Sequence, residues 1–217
     1  MISARLRAGA ELLLVAPVRG LSSEVAALTQ SLDAFAPAAV GLGVSSEELR
    51  GLVDYFVVAD GEPVVPLTTN EFNEVRGLVR FGEVRVPNPS FVAALRWGHV
   101  RSVPVAALDP SEEGAAELFA EHIGYFELVR RTVRERRAGR DPPAPSTADA
   151  YALECERRIA RGRGSRALAR ARDAHLAQET AALAAGRARI AIVVDRERFD
   201  GVRDRFGGAL GTRSLTR

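Results

Sequence analysis

Arginine and aspartate recur where the punctuation of the chain predicts the ends of strands, and together they can do one kind of chemistry, which is to hold an anion. Arg19 follows the apolar run ELLLVAP, Asp109 follows VPVAAL, and Asp195, Arg196 and Arg198 follow RARIAIVV. A guanidinium presents a rigid fork of donors matched to phosphate or carboxylate, and a neighbouring carboxylate orients that fork or accepts a hydrogen bond from a bound molecule. His99, in RWGHVRS just ahead of the third apolar run, is a further titratable group beside Trp97 and Arg101. Arg19, His99, Asp109, Asp195, Arg196 and Arg198 are therefore the candidate ligand-binding residues, for an anionic small molecule such as a phosphate, a carboxylate or a nucleotide. The same residues admit a structural reading, in which the arginines and aspartates pair with one another and brace the fold, and His99 serves only a helix end.

The elements that must position these residues are legible between Glu11 and Leu52. ELLLVAPVRG reads as an apolar strand running into a loop, SSEVAALTQSLDAF as a helix, PAAVGLGV as a second strand and SSEELRGLVDYF as a second helix, each helix opening at a serine pair with Glu just inside. Strands joined by a helical crossover are parallel, and ligands of open parallel sheets sit beyond the carboxyl ends of the strands. VVADGEPVVPLTTN reads as a connection with a short extended piece at Val64 to Leu67. EFNEVRGLVRF is a helix with Phe72, Val75, Leu78 and Val79 on one face, and FVAALRWGHV a helix capped by Ser90. VPVAAL is a third core strand. DPSEEGAAELFAEHIGYFELVRRTVRERR follows as one amphipathic helix of about 25 residues, and RARIAIVV is the fourth strand. The fold class is α/β: a mostly parallel sheet of about four core strands flanked by helices, with a helical hairpin insertion. Residues 1–137 form the first part of the core, 138–148 a proline-rich linker, 149–186 the hairpin and 187–217 the last strand and helix, one domain overall, with the last seven residues expected to fray.

Composition limits the function classes. The 217 residues are 47% hydrophobic and 27% charged, as in an ordinary globular domain. Thirty arginines, with no lysine, are nearly balanced by 28 acids, so the net charge is only +2 and the overall field argues weakly for nucleic acid. One cysteine, Cys155, excludes an intramolecular disulfide, and no Cys/His cluster offers a zinc site, so a reducing cytoplasm is expected and neither a metal nor a cofactor is predicted. No segment approaches 18 consecutive apolar residues, which predicts no membrane span. The Gly41–Gly43 pair lacks the third glycine of a dinucleotide fingerprint, and GRGSR at Gly162 to Arg166 lacks the lysine of a phosphate-binding loop.

Three segments resemble the TraB/PrgY/Tiki family and its wider erythromycin esterase-like and ChaN-like group. LLVAPVRGLSSEV is similar to that family's first strand with its Gly-Thr-x-His turn, PAAVGLGVSSEEL to its Val-Glu-Leu-Asp strand, and ARDAHLAQETAALAAGRARIAIVVDRERFDGV to its late helix and Gly-x-Gly-His strand; VPVAALD looks like its middle strand. The resemblance implies the α/β layout and, in members proposed as metalloproteases, metal bound through the motif His and Glu. Here the first histidine position falls on Arg19, the glutamate on Gly43, the following aspartate on Ser45, and the last Gly-His on Glu197 and Arg198; only Asp109 stays acidic. Arginine keeps its proton and has no lone pair to give a cation. The resemblance thus implies a degenerate, non-catalytic member that binds an anionic small molecule or a protein partner.

Two alternatives remain beside it. One is a metal-dependent hydrolase, peptidase-like or esterase-like, with a rearranged site of Asp109, Asp195 and His99. The other is a polyanion- or RNA-binding protein acting through Arg157, Arg158, Arg161, Arg163 and Arg166, which needs those arginines on one face without acids between them; a solvated surface is the competing account, so nucleic acid is not the expected partner. The apolar stripes of the long helix and of the alanine-rich helix Ala167 to Ala185 would make a homodimer surface if exposed and core if buried. His122 and His175 fall within those two helices, and Cys155 reads as a small packed residue.

Overall fold

Leu12, Leu13, Leu14 and Val15 cannot all face one side of a strand, so a strand built from them must be covered on both faces. The computed structural model, which describes residues 1–7, 10–57, 69–140, 143–206 and 212–214, has that arrangement. Strands β1 (Ile2–Arg7), β2 (Glu11–Ala16), β3 (Val40–Leu42), β4 (Val105–Ala107), β5 (Arg189–Val193) and β6 (Thr212–Ser214) form one sheet in the order β4-β3-β5-β2-β1-β6. The four strands from β4 to β2 are mutually parallel, while β1 runs antiparallel to both β2 and β6.

Helices α1 (Val25–Phe35), α2 (Ser46–Val57) and α4 (Pro89–Arg101) cover one face. There Leu28, Leu32, Phe35, Leu52, Phe91 and Trp97 pack on Leu13, Val15, Val40, Leu42 and Val193. On the other face Leu176 and Ala184 of α8 (Arg163–Ala184), with Phe199 and Val202 of α9 (Phe199–Arg205), pack on Leu6, Leu12, Leu14, Ile190 and Ile192. Burying one such side chain is worth about 1.5–3 kcal/mol, so the sheet is fixed from both sides. A third cluster closes the carboxyl end of the sheet: Val18 and Leu21, from the loop leaving β2, meet Leu78 of α3 (Thr69–Leu78) and Tyr151 and Ala152 of α7 (Ala148–Ile159). Helix α6 (Tyr125–Arg140) packs on α3 and α7 and completes this cap, and α5 (Glu112–His122) packs on α8.

Caps explain where several helices start. Ser45 Oγ accepts from the amide of Glu48 at 3.1 Å while Glu48 Oε2 accepts from the amide of Ser45 at 2.8 Å, a reciprocal capping box that opens α2. Asn88, not Ser90, caps α4, with Pro89 in its first turn. Ser111 caps α5 and Thr147 caps α7. Helix α8 begins at Gly162 with no cap of its own; Glu127 of α6 supplies one, its carboxylate accepting from the amides of Gly164 (2.9 Å) and Ser165 (2.8 Å) and from the Ser165 hydroxyl (2.9 Å). These donors hold the Glu127 carboxyl below its usual range, the Ser165 amide foremost.

Several expectations are corrected. ISARLR, ahead of the first apolar run, is a strand in its own right, with Ala4 and Leu6 buried and Arg5 and Arg7 exposed. Thr212–Ser214, expected to fray, pairs with β1. The single long helix is two, broken where Ile123 adopts an extended backbone ahead of Gly124. Of the α3 stripe only Leu78 is buried, while Phe72 and Val79 are exposed. Helix α6 runs to Arg140, into the first residues of the expected linker. The two helices of the expected hairpin lie in different layers, α7 in the cap and α8 on the sheet. The extended piece at Val64 to Leu67 lies outside the described residues. Among those residues no helix is long and apolar enough to cross a membrane.

Because Glu127 joins the cap helix to the sheet-packed helix, Glu127→Ala should lower unfolding stability by about 1–2 kcal/mol, the cost of a lost N-cap. Urea denaturation checks this, and an unchanged midpoint would show that α8 starts without it.

Candidate functional site

Each parallel strand delivers its candidate residues to the capped end. β2 leads to Arg19, β4 to Asp109, and β5 to Asp195, Arg196, Glu197 and Arg198. Asp109, Asp195 and Arg196 are buried at 8%, 2% and 6% exposure, and buried charges in an apolar surround must be matched.

They are matched by one another, in three groups. Asp195 Oδ2 accepts from Arg19 Nε at 3.0 Å and also from Arg19 Nη2, and its Oδ1 accepts from Asn88 Nδ2 at 3.2 Å. Asp109 accepts from Arg198 Nη1 on Oδ1 at 2.7 Å and from Arg172 Nη2 on Oδ2. The far side of the Arg198 fork reaches Asp173 Oδ1 from Nε (3.3 Å) and Nη2 (3.2 Å). Arg196 Nε donates to Asp149 of α7 at 2.8 Å, and the guanidinium lies over the Phe199 ring at 5.8 Å. The charge of Asp195 raises the Arg19 pKa well above its usual value; burial opposes the proton on Arg198, and Asp109 and Asp173 outweigh it. Burial raises the Asp173 carboxyl against the pull of Arg198.

The candidate residues are thus brought to one end of the sheet but not into one pocket. Arg19 and Arg198, at the resembled family's ligand positions, bind different carboxylates. At Gly43, where the resemblance would put a glutamate, an added Cβ would sit 3.0 Å from Val194 Cγ1, close enough that Val194 would have to give way. His99 is not part of the assembly. It lies on the last turn of α4, which enters β4 at its amino end, and it packs edge-on against Phe56 at 5.4 Å. The hydrolase set of Asp109, Asp195 and His99 is therefore not assembled, and among the described residues no group of three or more His, Cys, Asp or Glu side chains could hold a metal ion. Burial pushes the Cys155 thiol up to about 11, which keeps it protonated and a poor nucleophile at neutral pH. An open groove of about 440 Å³ lies elsewhere, between α2 and β4, lined by Ser46, Leu49, Arg50, Val53, Asp54 and Ala107.

Of the arginines of the polyanion candidate, two are held by an acid. Arg157 and Arg158 both bind Glu154, at 2.6 and 2.9 Å. Arg166 Nη1 donates to the Arg161 carbonyl at 2.9 Å, and Arg161 and Arg163 are exposed.

Sequence reading missed Asn88, Arg172 and Asp173 as partners, and above all Glu197. This carboxyl sits beside Asp195 with Oε2 buried and without a partner among the described residues. Burial, then the charge of Asp195, raises it to about 8, against the pull of Arg19. A carboxylate framed by two arginines in DRER gives no sign in sequence of which neighbour it lacks.

No family model matches the chain, and no curated protein matches it.

An acid whose folded pKa lies above its unfolded one binds more protons when folded, so its contribution is fully present below about 4.5 and is lost as pH rises through about 8. Glu197→Gln should match the wild type at pH 5 and exceed its stability at pH 8.5, by on the order of 1–3 kcal/mol. Equal stability of the two proteins at both pH values would show that Glu197 titrates normally.

Proposed function

We propose that the protein is a non-catalytic binding protein, a degenerate relative of the TraB/PrgY/Tiki group, that engages a protein partner through its helical cap. The observation that carries this reading is the inverted amphipathicity of α6. Its inward side is charged: Glu127 caps α8, Arg131 pairs with Glu135 at 3.0 Å, and Arg134 Nη1 donates to the Ile159 carbonyl at 2.6 Å. Its outward side carries the large apolar residues, with Arg136 and Arg137 at its end: Tyr125 and Phe126 are 74% and 78% exposed, and Leu128, Val129 and Val133 are more than 40% exposed. A helix normally turns its apolar side to the core, and a contiguous apolar surface on a folded domain marks an interaction site.

The pairing at the carboxyl end favours this over binding of a small anion. Arg196 and Arg198 already have carboxylates on their forks, and an incoming phosphate or carboxylate would have to displace them and leave Asp109, Asp173 or Asp149 unmatched.

The double substitution Phe126→Asp with Val129→Asp should leave Tm within about 2 °C of the wild type, as surface changes do. It should also abolish the associations that the wild type makes in chemical crosslinking. A fall in Tm of more than about 8 °C would mean that the α6 surface is core. Crosslinking identical to the wild type would mean that it binds nothing.

A further inference from the structure

Resting on that reading, we infer that the partner of α6 is a second copy of this chain, lying antiparallel across the outward face of the helix with the two-fold axis at the height of Arg131. At 3.6 residues per turn, Tyr125, Phe126, Val129, Val133, Arg136 and Arg137 fall within an arc of about 120°. All six are exposed. The face therefore reads aromatic at its start, aliphatic in its middle and cationic at its end. Among the described residues neither Arg136 nor Arg137 has an ion pair, whereas Arg131 and Arg134, on the opposite side, are engaged within the fold.

Such a face complements itself when one copy is reversed. With the axis at the height of Arg131, Tyr125 lies beside Arg136 along one edge of the face, Phe126 beside Arg137 along the other, and Val129 and Val133 meet in the middle. Each guanidinium meets the negative face of an aromatic ring and each valine meets a valine. Tyr125 and Phe126 already pack edge-on at 5.8 Å, which makes them one platform. A parallel arrangement would instead set Arg136 and Arg137 against their own copies and repel. A two-fold interface uses one patch twice, so no second surface is needed. Two aromatics of about 150–250 Å² and two valines per copy bury on the order of 1,000 Å² in all, at the lower edge of specific interfaces. A dimer that forms in the micromolar range is expected.

The full chain should sediment with a concentration-dependent mass, rising from 23.3 kDa towards twice that value between about 5 and 200 µM. Phe126→Asp should weaken the association at least about 10-fold, as loss of a central aromatic anchor does. Register is read by mixing Phe126→Cys with Arg137→Cys, each carrying Cys155→Ser: the mixed disulfide should form ahead of either like-with-like one. Dominance of like-with-like disulfides would overturn the antiparallel arrangement. A wild type that stays at 23.3 kDa throughout would overturn the dimer. If that monomer does not bind vesicles of anionic phosphatidylglycerol, and Phe126→Asp with Val129→Asp keeps its Tm, the dimer alone fails and α6 still awaits another protein. Vesicle binding by the monomer would make the surface membrane-facing and sink the protein-partner reading as well.

Discussion

A buried guanidinium cannot shed its proton, so every arginine placed at the carboxyl end of this sheet obliges the fold to bring a carboxylate to it. The rest of that end follows from this constraint. Arg198 holds Asp109 from β4 and Asp173 from α8 together, Arg19 joins the β2 exit to Asp195 beyond β5, and Arg196 reaches across to Asp149 on α7. Strands and helices distant in sequence are tied at the carboxyl end, where open parallel sheets take their ligands, and the apolar cluster of Val18, Leu21, Leu78 and Tyr151 packs over that end.

The same constraint accounts for the helical cap. Glu127, Arg131, Arg134 and Glu135 of α6 are turned inward, on the uncapped start of α8, on the Arg131–Glu135 pair and on the end of α7, so its large apolar residues are left on the outward side. A helix built this way costs the isolated chain an exposed aromatic surface. The proposed association would recover that loss.

Much of the fold was legible because its signals are local. The runs ELLLVA, VGL, VAA and RIAIV declare a doubly covered parallel sheet, and the Ser-x-x-Glu start of α2 declares its own cap. What was not legible depends on distance in space. Ser3 and Arg5 dilute the alternation of β1 below notice, and the short β6 is a strand only because β1 lies beside it. The break at Ile123 and Gly124 interrupts a periodicity that reads through unaltered. At the site, strand ends identified Arg19, Asp109, Asp195 and Arg198 as neighbours of one region. Which arginine meets which carboxylate is set by α8 and α4, and neither Asp173 nor Asn88 carries any sequence mark of that role. His99 was misplaced because proximity in sequence to β4 put it near the strand at its amino end, away from Asp109.

The central claim is that the arginines at the carboxyl end brace the fold, and a double-mutant cycle between Arg198→Met and Asp109→Asn in urea denaturation tests it most directly. A brace predicts that Arg198→Met alone costs about 3 kcal/mol and that the two sites couple by at least about 1.5 kcal/mol. An Arg198→Met protein as stable as the wild type, with additive effects across the cycle, would contradict the account and return Arg198 to the candidates for ligand binding.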